Sequence, residues 1–243
     1  MKFTASFFGA VLLFVANTTA SFGYVVGPTT PGKWGSPLLG TGATITWSLM
    51  GGGLTTDDGL SSDFSTFMPP GYEDQIAAAF AAWSAVADIT FIQVADCGLA
   101  FNAGGCGGDD IRLGGHAFDG PGGTLAHGYY PPANGTTAAG DIHFDVAETW
   151  KIGFGGPGFD IFQVTAHEIG HAIGLDHTPE MTSLMYGFYT EDFTGLQPDD
   201  IAGAQYLYGR ASVVPLPAAF PLFASALLVM SVLGWRIHRK ALA

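Results

Sequence analysis

The chemistry of this chain is concentrated in Thr165-Ala166-His167-Glu168-Ile169-Gly170-His171-Ala172-Ile173-Gly174-Leu175-Asp176-His177. His167 and His171 are four residues apart, so a helix puts both imidazoles on one face, one turn apart, where they can bind one Zn²⁺. Gly174 can leave the helix with φ > 0, which most residues resist, and turn the chain so that His177 supplies a third nitrogen. Three protein ligands leave the fourth zinc position open to water, which marks a catalytic site rather than a structural one. Glu168, beside His167, can take the proton from that water, so no Ser or Cys nucleophile is needed. Incidental histidines on a buried helix would account for HExxH alone, but poorly for the longer pattern of three His, one Glu and one Gly.

A second cluster lies upstream, in His116-Ala117-Phe118-Asp119-Gly120-Pro121-Gly122-Gly123-Thr124-Leu125-Ala126-His127 and Gly140-Asp141-Ile142-His143-Phe144-Asp145-Val146-Ala147-Glu148. Apart from His238 near the C-terminus, His116, His127 and His143 are the histidines outside the first motif. Random scatter would not divide them so neatly, which favours a second metal site over satisfied core histidines. Asp119, Asp145 and Glu148 are hard oxygen ligands beside a glycine turn whose carbonyls can also point inward, as Ca²⁺ requires.

The elements that must position these residues are legible in outline. Ala43–Leu49 alternates and is β-branched, which predicts a first strand. Ile76, Phe80, Trp83 and Val86 recur at helical spacing and predict a helix over 73–87 with those residues facing the core. Ile89–Val94 and Asp110–Leu113 read as further strands. Cys97 and Cys106 flank a Gly-rich loop, and in an exported protein a disulfide closing that loop is expected. Gln163, one helical turn before His167, is expected to line a specificity pocket.

The long histidine motif, followed by Met185 in Ser183-Leu184-Met185-Tyr186 where a Met-turn should lie, resembles the metzincin zinc endopeptidases. FDGPGGTLAH, GDIHFD, HEIGHAIGLDH, LMYGFY and the closing Asp199–Gly209 stretch narrow the resemblance to the matrixin branch, over about residues 33–209. The resemblance implies an α+β metzincin fold: a twisted, mostly parallel five-stranded sheet with three helices and a horizontal zinc cleft. It implies catalytic zinc on His167, His171 and His177, structural zinc near His116, His127 and His143, and calcium at Asp119, Asp145 and Glu148, with a second calcium near Gly140 and Asp141. The strand around Thr124–His127 would form the cleft rim and pair with an extended peptide substrate. Three departures stand out. The structural zinc of the family usually takes an Asp two residues after its first His; Phe118 stands there, so the fourth ligand is unassigned. Gly187 replaces the proline after the Met-turn tyrosine, which loosens the pocket wall. No segment with a blocking cysteine precedes the domain, so latency by a cysteine switch is not expected.

The chain has 243 residues. All 21 acidic residues lie between Asp57 and Asp200, where Arg112 and Lys151 are the accompanying basic residues. That balance argues against nucleic-acid binding and suits a secreted domain that holds Ca²⁺. Lys2, the apolar run Phe7–Val15 and small residues to Gly23 read as a signal peptide over 1–23, leaving a metallopeptidase domain over 24–211. In the tail, 212–243, Val213-Val214-Pro215-Leu216-Pro217 leads into an apolar run to Leu233 and then Arg236, Arg239 and Lys240, the pattern of a membrane span with a cytoplasmic end. That order resembles the PEP-CTERM sorting tags of Gram-negative bacteria, which implies processing by an exosortase and a place at the cell surface or in the extracellular matrix. The expected function is an exported zinc endopeptidase acting on protein or peptide substrates. The rivals are a non-enzymatic, calcium-stabilised surface or matrix-binding protein and a calcium-dependent adhesin; neither needs the carboxylate of Glu168.

Overall fold

The computed structural model describes residues 23–103, 110–132 and 138–212. Within them the chain runs β1 (Val25–Val26), β2 (Ala43–Leu49), α1 (Tyr72–Val86), β3 (Ile89–Gln93), β4 (Ile111–His116), β5 (Ala126–Gly128), β6 (Ile142–Asp145), β7 (Trp150–Lys151), β8 (Phe159–Asp160), α2 (Ile161–Ala172), β9 (Leu175–Asp176) and α3 (Pro198–Tyr208). The main sheet has the order β3-β2-β4-β6-β5. Its first four strands are parallel; β5 alone runs antiparallel and forms one edge. This is the expected α+β metzincin architecture, with three helices and a mostly parallel five-stranded sheet. The predicted signal peptide up to residue 22, the tail from Val213 and Cys106 lie outside the described residues. Among the described residues no helix is long and apolar enough to cross a membrane.

The central strands β4 and β6 are buried along their whole length, as parallel strands covered on both faces must be. The core packs Ile45, Ile111, Leu113, Ile142 and Phe144 from the sheet against Ile76, Phe80 and Trp83 of α1 and Ile161 and Ile169 of α2. Trp47 stacks on Phe80 with ring centroids 4.4 Å apart. The Trp83 indole donates to the Ala166 carbonyl at 2.9 Å, so α1 is fixed against α2 in the turn that begins the histidine motif. Val86, expected in the core, is only half-buried, because α1 ends there.

The predicted third strand stops too early. β4 continues through Gly114 and Gly115 to His116. Strand propensity penalises this glycine pair, but packing requires it. A Cβ on Gly115 would overlap the Phe67 ring, and one on Gly114 would crowd Met50 Sδ at 2.9 Å. The cleft-rim strand is shifted to Ala126–Gly128. β1 was not anticipated; two residues carry no periodicity, and it exists through its pairing with β9.

Helix α2 is held at both ends. Asp160 caps it by accepting from Gln163 N at 2.8 Å. At its C-terminus the Trp34 indole donates to Ala172 O at 2.7 Å and the Tyr208 hydroxyl to Ile173 O at 2.8 Å, satisfying carbonyls that the helix leaves open. Gly174 then takes φ 108°, where a side chain would be strained and would run into Gly32 O.

α3 organises the segment that returns beneath the motif. Its N-cap Gln197 donates its backbone N–H to Asp200 at 2.7 Å. The buried Asp200 carboxylate also accepts from the Ser183 hydroxyl, from Leu184 N at 2.9 Å and from Met185 N at 3.0 Å. Truncating Asp200 would strand several buried donors at once. Asp200→Ala should therefore lower the free energy of unfolding by about 3 kcal/mol, read from the midpoint of a urea titration; a loss below about 1 kcal/mol would show that this carboxylate does not anchor the segment.

Candidate metal centres and active site

His167 and His171 project from α2, and His177 follows β9 after the turn at Gly174. Nδ1 of His167 lies 2.6 Å from Leu184 O, and Nδ1 of His171 lies 2.8 Å from Leu175 O. Carbonyls can only accept, so both Nδ1 atoms carry the proton and both Nε2 atoms are bare. Yet His177 Nε2 is 3.1 Å from His167 Nε2 and 3.2 Å from His171 Nε2. One proton on His177 could satisfy only one of them well, whereas a cation between them satisfies all three. Tetrahedral zinc with Zn–N of about 2.0–2.1 Å sets its ligand nitrogens about 3.3–3.4 Å apart, so the three residues fit that ion. Burial first, and then the neighbouring imidazoles, lower His167 to about 3 and His171 to about 4, which keeps both neutral and ready to ligate.

The Met-turn supports this centre from below. Gly170 faces Met185, whose sulfur occupies the space a Cβ would need. Leu184 supplies the carbonyl that orients His167, and Thr178 N donates to Met185 O at 3.0 Å, tying the turn to the segment after His177. Gly187 lies against His177, where a Cβ would stand 3.2 Å from Nδ1.

Glu168 is 5% exposed and its Oε2 has no hydrogen-bond partner. Burial raises it to about 8 in the absence of a neighbouring cation. It lines a cleft of about 630 Å³ together with the three histidines. Gly128 of β5 makes room for it: a Cβ there would sit 2.8 Å from Glu168 O and 3.3 Å from Oε2. Gln163 lines the same cleft, but its amide is engaged, accepting from Gly195 N at 2.8 Å and donating to Phe193 O at 3.3 Å. It ties the wall of the cleft to α2.

The second cluster contains a residue that the spacing did not reveal. Asp57 comes from the turn closed by the Thr55–Leu60 bridge, far upstream of the histidines. Its Oδ1 lies 2.8 Å from His116 Nε2 and 2.8 Å from His143 Nδ1, and its Oδ2 lies 3.0 Å from His127 Nε2. The Nε2 atoms of His116 and His127 make no aligned hydrogen bond to it. His116 Nδ1 faces the Ala117 carbonyl at 3.1 Å, so it carries the proton and His116 Nε2 is bare, as a metal ligand must be. Burial, followed by the field of His143, lowers His127 to about 4. The Asp57 carboxyl is raised by burial but lowered further by His143 and the Tyr129 hydroxyl, and stays ionised. Phe118, standing where the resemblance calls for an Asp, packs on His116 and on His127 at centroid distances of 4.4 and 4.8 Å. Among the described residues, Asp57–His116–His127–His143 and His167–His171–His177 are the groups whose ligand atoms lie close enough to share one ion. The Asp-Gly turn signal in Asp57-Asp58-Gly59 was readable, but nothing in the sequence linked it to the histidines.

The expected calcium ligands are not drawn into such a group. Asp119 and Glu148 bond the backbone of the 120–124 turn: Glu148 accepts from Gly122 N at 2.6 Å and Asp119 from Thr124 N at 3.0 Å. Asp145 accepts from Ala147 N at 2.8 Å, while its Oδ2 is buried without a partner. Asp141 sits just before the other end of β6, with Oδ1 accepting from Arg112 N at 3.1 Å and Oδ2 unpartnered. Burial raises it to about 8. Cys97 is disulfide-bonded.

The chain is similar in sequence to part of several known proteins. Stromelysin-3 of Mus musculus is 43% identical over 156 residues, 62% of this chain and 30% of that protein. Karilysin of Tannerella forsythia is 41% identical over 152 residues, 60% of this chain and 30% of its own length. Interstitial collagenase A of Mus musculus is 40% identical over 155 residues, 60% of this chain and 31% of that protein. The chain thus spans about a third of the length of the curated relatives it matches. The matrixin family profile matches residues 61–209, a span that holds all six clustered histidines and Glu168 but begins after Asp57. On that match the chain belongs to the matrixin family.

Proposed function

We propose that this chain is an exported zinc endopeptidase that hydrolyses internal bonds of protein or peptide substrates. The observation that carries the reading is the juxtaposition of three converging Nε2 atoms with a buried, unpartnered Glu168 oxygen on one open cleft. When bound by His167, His171 and His177, zinc supplies Lewis acidity toward the scissile carbonyl and the attacking water. Glu168 Oε2 takes the proton of that water and passes it to the nitrogen of the departing amine. The free edge of β5 holds the substrate backbone by strand pairing. The intact Glu168 argues against a purely binding role on the same fold.

We assign the second group to a structural zinc with Asp57 as the fourth ligand beside His116, His127 and His143; four protein ligands close such a site. The unpartnered Asp145 oxygen, with Asp119 and Glu148 around one glycine turn, supports a calcium site there. Asp141 is the candidate for a second calcium. The signal-like start and the tag-like tail support export, tethering by a membrane span, and release by a sorting peptidase to the surface or matrix.

Three outcomes follow. Glu168→Gln should retain full zinc occupancy while the cleavage rate falls by at least about a hundredfold; unchanged proteolysis would sink the mechanism. Elemental analysis should find two zinc ions per wild-type chain and one in Asp57→Ala; a single zinc in the wild type, or two in the variant, would remove Asp57 from the ligand set. Calcium should raise the melting temperature, and Asp145→Ala should shrink that increment; a melt indifferent to calcium would refute that site.

A further inference from the structure

β5 and the two residues after it form the edge along which a substrate must lie, and they alternate. Leu125 O and the Tyr129 backbone bond to β6 or the residues just before it: Asp145 N donates to Leu125 O, Tyr129 N to Asp141 O, and Gly140 N to Tyr129 O. In an antiparallel ladder the residues between, Ala126, Gly128 and Tyr130, turn their backbone groups to the open edge. Side chains alternate as well. His127 and Tyr129 reach Asp57 on one face. Ala126, Gly128 and Tyr130 face α2, where Gly128 leaves room for Glu168 and the Tyr130 ring stands perpendicular to His171, centroids 5.7 Å apart.

The ring is fixed from several directions. The Tyr130 hydroxyl donates to Asp176 Oδ1 at 2.8 Å, and the same oxygen accepts from His177 N at 2.7 Å. Behind the ring runs the segment after β1, in which a Cβ on Gly27 would lie 2.6 Å from the Tyr130 ring while Gly27 N donates to Gly174 O at 2.8 Å. Tyr130 therefore stands as a rigid aromatic wall beside a zinc ligand and on the cleft itself.

We propose that Tyr130 determines specificity on the amino side of the scissile bond, restricting the second residue before that bond to small side chains. The inference rests on the endopeptidase reading. A peptide antiparallel to β5 places its amino end toward Tyr130. Glu168 against Gly128 marks the reacting point, and Tyr130 lies two residues further along, about 7 Å for extended chain. A bulky side chain arriving there meets a ring backed by the Gly27 segment and packed edge-on against His171, contacts that hold the ring in place without its hydroxyl. Toward the start of β5 the cleft is lined by Leu125, Val164 and Leu184, with no aromatic wall like Tyr130 on that strand, so the restriction is one-sided.

The test is cleavage profiling of a peptide library by the purified, zinc-loaded chain and its Tyr130→Ala and Tyr130→Phe variants, with zinc content measured for each. The wild type should favour Gly, Ala or Ser over Phe or Trp at that position by about tenfold or more in kcat/KM. Tyr130→Ala should bring the ratio to within about threefold by improving the bulky peptides, with carboxyl-side preferences unchanged. Tyr130→Phe, which keeps the ring, should retain the selection. A wild type indifferent at that position overturns the proposal even if Tyr130→Ala does not fold, as does a Tyr130→Ala profile identical to the wild type. Absence of any cleavage by the zinc-loaded wild type would instead overturn the endopeptidase reading, and this inference with it.

Discussion

The bare Nε2 atoms of His167 and His171 lie 3.1 and 3.2 Å from His177 Nε2, an arrangement that a cation between the three satisfies and a single proton does not. Much of the surrounding architecture holds the chain in that arrangement. The Leu184 and Leu175 carbonyls fix the tautomers. Asp200 secures the Met-turn that carries Leu184, and Trp34 and Tyr208 cap the helix that carries His167 and His171. Such outer supports orient metal ligands and decide whether they meet at one point. The interaction networks that look purely structural, at the start of α3 and the end of α2, thus hold the three-histidine cluster in place.

β5 joins the two centres. One face carries His127 and Tyr129 to Asp57; the other presents Gly128 to Glu168 and Tyr130 to His171. The two histidine clusters thus flank one strand, although their residues are separate. Phe101 packs beside the Asp57 site: its ring meets Tyr129 and His143 at centroid distances of 5.3 and 5.2 Å, and its N–H donates to Thr55 O at 2.7 Å.

The legibility of the sequence followed the range of the contacts. His167, His171, His177 and Glu168 were readable because helix periodicity and a single glycine turn place them locally. The core face of α1 was readable for the same reason. Asp57 was not, because its position depends on a turn meeting three strands at large sequence separation, and spacing carries no trace of that meeting. The end of β4 was missed because Gly114 and Gly115 are poor strand formers whose value lies in the side chains that press on them. The resemblance to matrixins predicted a metal centre at His116, His127 and His143 and flagged the missing Asp at Phe118; only the folded chain brings Asp57 to the gap.

The central claim is that the three-histidine cleft with Glu168 breaks peptide bonds through a bound zinc ion. It is tested most directly by following internal cleavage of a peptide library by the purified chain as isolated, after removal of metal by a chelator, and after return of zinc. The account predicts cleavage that disappears with the chelator and returns on addition of one to two equivalents of zinc per chain. Cleavage that survives complete metal removal, or a zinc-loaded, folded chain that cuts nothing, would contradict it.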